Sequence, residues 1–167
     1  MYLLINQFFK ICLFRSSPQD LPTSRFLATA ALAVYSVLGL LIELSRTPLL
    51  KAVMMMTVEL IVLAGMSWII LWARQLDHRY LQTLTALAGC GALLTLFAWP
   101  MLLLQETSGD EPNIFILIIM WLWFFWLILV YSHIISRALS TSLFIGTGLT
   151  LIYIFISESV ARTLFFQ

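Results

Sequence analysis

Charge is scarce in this sequence. Only 10% of the residues are Asp, Glu, Lys or Arg, and nine basic side chains nearly cancel eight acidic ones to a net +1. That balance lacks the basic footprint on which nucleic-acid binding depends, so no nucleic acid is expected as a partner. Cysteine and histidine are equally thin. Cys12 and Cys90 form no CxxC pair, and neither His78 nor His133 stands at metal-ligand spacing from another His or a carboxylate. No nucleophile–base pair and no phosphate-cradling loop is visible. No catalytic residue, metal or cofactor is therefore assigned, and the chain is expected not to be an enzyme. Long polar stretches are missing too, which leaves no room for a separate soluble domain.

What fills the chain instead is apolar sequence, 62% of all residues. Five runs, about 26–44, 52–72, 83–104, 114–135 and 142–161, approach the roughly 20 residues that span about 30 Å of hydrocarbon as a helix. They are continuously apolar without alternation, which excludes barrel strands and leaves helices to satisfy the backbone in lipid. The expected fold is an all-α membrane protein, one domain over residues 1–167, in contact with the lipid bilayer.

Residues 1–14 lack a basic n-region and a small-residue cleavage pattern, so they do not read as a cleavable signal. At 100° per residue Asn6, Gln7 and Lys10 share one third of the circumference and apolar side chains cover the rest, the pattern of an amphipathic interfacial helix. Pro18 and Pro22 should end that helix by Ser17, and Ser24 should cap the first span. With the N-terminus inside, Lys10, Arg15, Arg25, Arg74, Arg79 and Arg137 are cytoplasmic, against Arg46, Lys51 and Arg162 outside. The excess favours a cytoplasmic N-terminus and, after five spans, an external C-terminus. The Gln105–Asn113 loop, with Glu106, Asp110 and Glu111 and no basic residue, then lies outside.

Small residues mark close helix packing. Gly89 and Gly91 in the ALAGCGALL stretch of the third span, and Gly146 and Gly148 in the fifth, let backbones approach in lipid, where close fit replaces the hydrophobic effect. The two clusters are expected to meet where the third and fifth spans cross. Cys12 and Cys90 are expected to lie apart, and His133 to be solvated at a helix end. The fourth span is the opposite kind of helix. Trp121, Trp123 and Trp126 sit near its midpoint, although tryptophan prefers the headgroup belts. They either face lipid and fill space or form a docking surface for another membrane subunit, a lipid tail or a quinone-like molecule.

Three acids share the outer half. Glu59 lies about 12 Å along its helix from Lys51. An ionised carboxylate there costs roughly 2.5–3.5 kcal/mol or more, so it should face inward and have a partner. Glu43 ends the first span, and Glu158 stands four residues before Arg162, a favourable helical ion-pair order.

RSSPQDLPTSRF before the first span, QTLTALAGCGALL in the third and SHIISRALS after the fourth resemble a group of small, multi-pass, uncharacterised proteobacterial inner-membrane proteins. Five spans with a cytoplasmic N-terminus are similar to the Yip1-type membrane domain. The DLY and YGP-type signatures of eukaryotic Yip1 proteins are absent, so the link to prenylated GTPases does not carry over. The resemblance implies a bacterial inner membrane and transfers no functional residue. On sequence alone the preferred reading is a non-catalytic accessory or scaffolding protein acting through helix or lipid contacts. The alternative is a small transporter or ion- or proton-coupled subunit using Glu59.

Overall fold

A computed structural model describes residues 2–107 and 114–165. A short helix, α1 (Tyr2–Cys12), precedes five long ones: α2 (Arg25–Leu44), α3 (Leu49–Ala73), α4 (Tyr80–Thr107), α5 (Ile114–Leu139) and α6 (Leu143–Phe165). The long helices contain 20 to 28 residues and are apolar enough to cross a membrane. The protein is thus a multi-pass, all-helical membrane protein. Ser24 caps α2, its side chain accepting from the Leu27 N–H at 3.3 Å. Most of the acidic Gln105–Asn113 loop lies outside the described residues.

The small-residue helix is the centre of the bundle. α4 packs against α1, α2, α3 and α5, most extensively against α2. Ala86, Ala88, Cys90 and Ala92 are buried on all sides of it, and far more of α4 is buried than of any other long helix. α6 lies outside that ring, against α5 and α3. The expected crossing of the third and fifth spans is therefore not what the small residues serve. Gly146 of α6 meets α5, while Gly91 of α4 meets α2 and α5, because the bulky side chains of α5 stand between α4 and α6.

α1 does more than rest at a surface. Phe8, Ile11 and Cys12 are buried, and Phe8 fills the space above Gly89, where an added Cβ would fall within 2.3 Å of the ring. The Trp126 indole, at the midpoint of α5, donates to the Cys12 carbonyl at 3.2 Å. Phe9 meets Phe97 edge-on at 6.3 Å. The shallow groove left by the glycine and alanines of α4 accepts this helix. It also brings the buried Cys12 and Cys90 near each other, and the Cys90 thiol faces the Phe8 carbonyl at 3.7 Å. The expectation that the cysteines lie apart is corrected by this docking.

Three helices end alike at the end of the bundle that carries Arg15, Arg74, Arg79 and Arg137. α1, α3 and α5 each close on a non-glycine residue at positive φ, namely Phe14 (61°), Gln75 (55°) and Ser140 (52°). Each is followed by a 6→1 backbone bond, from Arg15 to Lys10, Leu76 to Leu71 and Thr141 to Ser136. These are Schellman closures, which satisfy carbonyls that a helix end would otherwise leave open. We call this the basic end, and the opposite one, near Glu43 and Glu158, the acidic end.

Candidate functional site

The acidic end holds a cavity of about 300 Å³ between α2, α3, α5 and α6. Glu43 from α2, Glu59 from α3 and Glu158 from α6 all stand on its wall. Three carboxylates far apart in sequence thus face one space. They do so because each lies toward the same end of its own antiparallel helix. Glu158 is exposed at the rim, where the Arg162 Nε donates to it at 2.7 Å. That pair is one turn apart on a solvent- or lipid-facing surface, so it is worth little to stability.

Glu59 is held differently. The buried Tyr35 of α2 donates its hydroxyl proton to Glu59 Oε1. Tyr131 on α5 and Tyr153 on α6 line the same cavity beside Tyr35, and their rings lie 6.0 Å apart. Tyrosines from three helices therefore gather beside one carboxylate from a fourth. A buried hydrogen bond such as that from Tyr35 fixes the geometry of the carboxylate, and the other two rings complete the cluster around it. Gly91 makes room for it: an added Cβ there would meet the Tyr131 hydroxyl at 2.6 Å and the Tyr35 ring at 2.9 Å.

None of these tyrosines is singled out by the sequence reading. A usable signal exists, since Tyr35, Tyr131 and Tyr153 lie within spans rather than in the aromatic belts, and a phenol there needs a hydrogen-bond partner. The remaining wall is apolar and aromatic, with Met55, Met56, Trp123 and Phe124. A cavity with carboxylates, phenol oxygens and aromatic rings suits a cation, which gains from charge and from the ring quadrupoles. Among the described residues no group of three or more His, Cys, Asp or Glu could hold a metal ion.

The three tryptophans of α5 divide. Trp121 is 61% exposed. Trp123 borders the cavity and donates to the Leu94 carbonyl at 3.1 Å, and Trp126 serves α1. Gly89, Gly91 and Gly146 lie under Phe8, the tyrosines and the α5 backbone respectively, whereas nothing lies within 4 Å of a Cβ at Gly148. His133, expected to be solvated, is buried with Nε2 3.1 Å from the Ser16 carbonyl. The linker folds back over the end of α5 and covers it.

No family model, curated protein or solved structure matches the chain.

Proposed function

We propose that this membrane protein binds a cation, a proton or a small organic ammonium, in the cavity at its acidic end, as a small transporter or an ion- or proton-coupled subunit. The observation that carries this reading is the convergence of Glu43, Glu59 and Glu158 on one cavity, with Glu59 held by the Tyr35 hydroxyl. A purely structural acid would be expected to be packed against its partner on every side. Glu59 instead has a partner on one side and open space on the other. Tyr35 orients the carboxylate, and the carboxylate provides the charge.

The test is flux into proteoliposomes, measured for protons and for a small ammonium. Flux should be present for the wild type and lost in Glu59→Gln, while the variant still purifies as a folded protein. Tyr35→Phe should retain the charge but lose its orientation, and so reduce flux without abolishing it. Absence of flux in the wild type would sink the proposal.

A second reading, a non-catalytic accessory or scaffolding protein, draws on the outward face of α5. Ile118, Leu122, Phe125 and Leu129 form an exposed stripe at helical spacing beside Trp121. It can meet lipid or another membrane subunit. Trp121→Leu should then weaken a co-purifying complex and leave flux unchanged.

We also propose the bacterial inner membrane, with the N-terminus cytoplasmic and the C-terminus periplasmic. The distribution of basic residues supports that orientation, and the likeness to proteobacterial, Yip1-type membrane proteins supports that membrane. Reporter fusions within Arg74–Arg79 should report cytoplasm, and fusions after Gln167 the opposite side.

A further inference from the structure

The basic end carries a larger and chemically opposite hollow. It measures about 620 Å³ and lies between the linker that follows α1, the end of α5 and the start of α6. Arg137, His133 and Ser136 from α5 with Ser140 just after it form one wall, Ser17 and Gln19 the second, and Thr141 and Leu143 the third.

The acceptors around it are already engaged. The last carbonyls of α5 are occupied: Ser136 by the Thr141 N–H at 2.9 Å, Arg137 by the Ser140 N–H and by Gln19 Nε2 at 3.0 Å, and Ala138 by Arg79 Nη1 at 3.0 Å. The Ser16 carbonyl faces His133 Nε2, so that ring nitrogen carries the proton in this contact.

What remains is a set of donors. Among the described residues the Arg137 guanidinium has no ion pair, and the side chain is exposed. Ser140 accepts from Arg79 Nη1 at 2.9 Å, which leaves its own proton to give and brings a second cation one hydroxyl away. Thr141 Oγ1 has no hydrogen-bond partner. α6 starts at Leu143, and its first intrahelical acceptor, the Ser142 carbonyl, is taken by Gly146. The N–H groups of Leu143, Phe144 and Ile145 therefore lack intrahelical acceptors at the positive end of a 23-residue helix. One charge opposes this set. The Asp20 carboxylate, behind Ser17, accepts from Ser16 Oγ at 2.6 Å and from the Ser17 N–H at 2.7 Å. Those bonds hold its pKa below the usual carboxylate range, so it stays ionised but engaged.

We propose that this hollow binds a phosphate group, presented either by the headgroup of an anionic phospholipid or by free inorganic phosphate. A planar guanidinium with hydroxyls and backbone N–H groups is the donor set that phosphate oxygens require, and basic pockets at the membrane face are suited to anionic headgroups. The site lies at the opposite end of the bundle from the acidic cavity and does not depend on it.

The experiment measures melting of the full-length protein in a neutral detergent. Phosphatidylglycerol, phosphatidylcholine and inorganic phosphate are titrated separately into wild type, Arg137→Gln and Arg137→Lys. Binding by Arg137→Gln should be about ten- to hundredfold weaker, the loss of one charge-assisted bond, with Arg137→Lys retaining part of it. Saturable stabilisation by phosphatidylglycerol over phosphatidylcholine, reduced in Arg137→Gln, would establish the lipid headgroup as the source. The same Arg137-dependent stabilisation by inorganic phosphate alone would establish the free anion. Equal responses in wild type and Arg137→Gln, or no response to either phosphate source, would overturn the site.

Discussion

Two glycines one turn-half apart on α6 offer a controlled measurement of helix packing in this protein. Gly146 is buried, and a Cβ there would fall 2.4 Å from the Ser132 carbonyl oxygen and 2.9 Å from the Ser136 Cβ on α5. Ordinary contact begins near 3.4 Å, so α5 and α6 would have to separate locally by about 1 Å. The obstacle is backbone, which cannot rotate out of the way. Gly148 is exposed, and a Cβ there meets nothing within 4 Å. Gly→Ala in a helix gains about 0.8–1.0 kcal/mol in propensity at either position. That gain is common to both, so the difference between the variants isolates the clash. Overpacking of this kind costs about 1–3 kcal/mol. Gly148→Ala should therefore be neutral or stabilised, and Gly146→Ala should be less stable than Gly148→Ala by about 1–3 kcal/mol. Equilibrium unfolding in mixed micelles under a denaturing-detergent titration reads this directly. If Gly146→Ala matched or exceeded Gly148→Ala, the close approach of α5 and α6 at this point would be refuted.

Two further outcomes follow from features of the basic end and of α1. Gln75 is exposed at φ 55°, so Gln75→Gly relieves a left-handed residue while loosening the unfolded chain. The net gain should lie between zero and about 1 kcal/mol by thermal melting, and a clear loss would contradict the Schellman closure of α3. Because docking of α1 on α4 brings the free thiols of Cys12 and Cys90 near each other, a membrane-permeant oxidant should link them within one chain. Fragments cleaved between them should stay joined on a non-reducing gel, and failure to crosslink, or crosslinking only between chains, would mean that α1 does not dock on α4.

The helices were legible because span length and continuous apolarity are one-dimensional properties. Close packing at Gly89, Gly91 and Gly146 was legible as a tendency, but its partners were not. A missing side chain announces that something approaches, without saying whether it is Phe8, Tyr131 or the Ser132 carbonyl. The three carboxylates could be placed toward one end by counting residues, yet their convergence on one cavity depends on how the helices are rotated. The Cys12–Cys90 contact and the covering of His133 both follow from where α1 and the linker fold back. That depends on sequence separations of 78 and 117 residues, beyond the reach of local pattern.

The docking of α1 also sets an order of events. This helix is the first part of the described chain to be synthesised, yet the surfaces that receive it belong to α4 and to Trp126, 114 residues after Cys12. Until α4 and α5 have entered the membrane, Phe8 lacks its place over Gly89 and the Cys12 carbonyl lacks the Trp126 indole. Before that, the amphipathic α1 has only the bilayer surface to receive its apolar face. Its insertion beside α4 and α5 is a late step, one that joins the beginning of the chain to its middle after most of the spans are already in place.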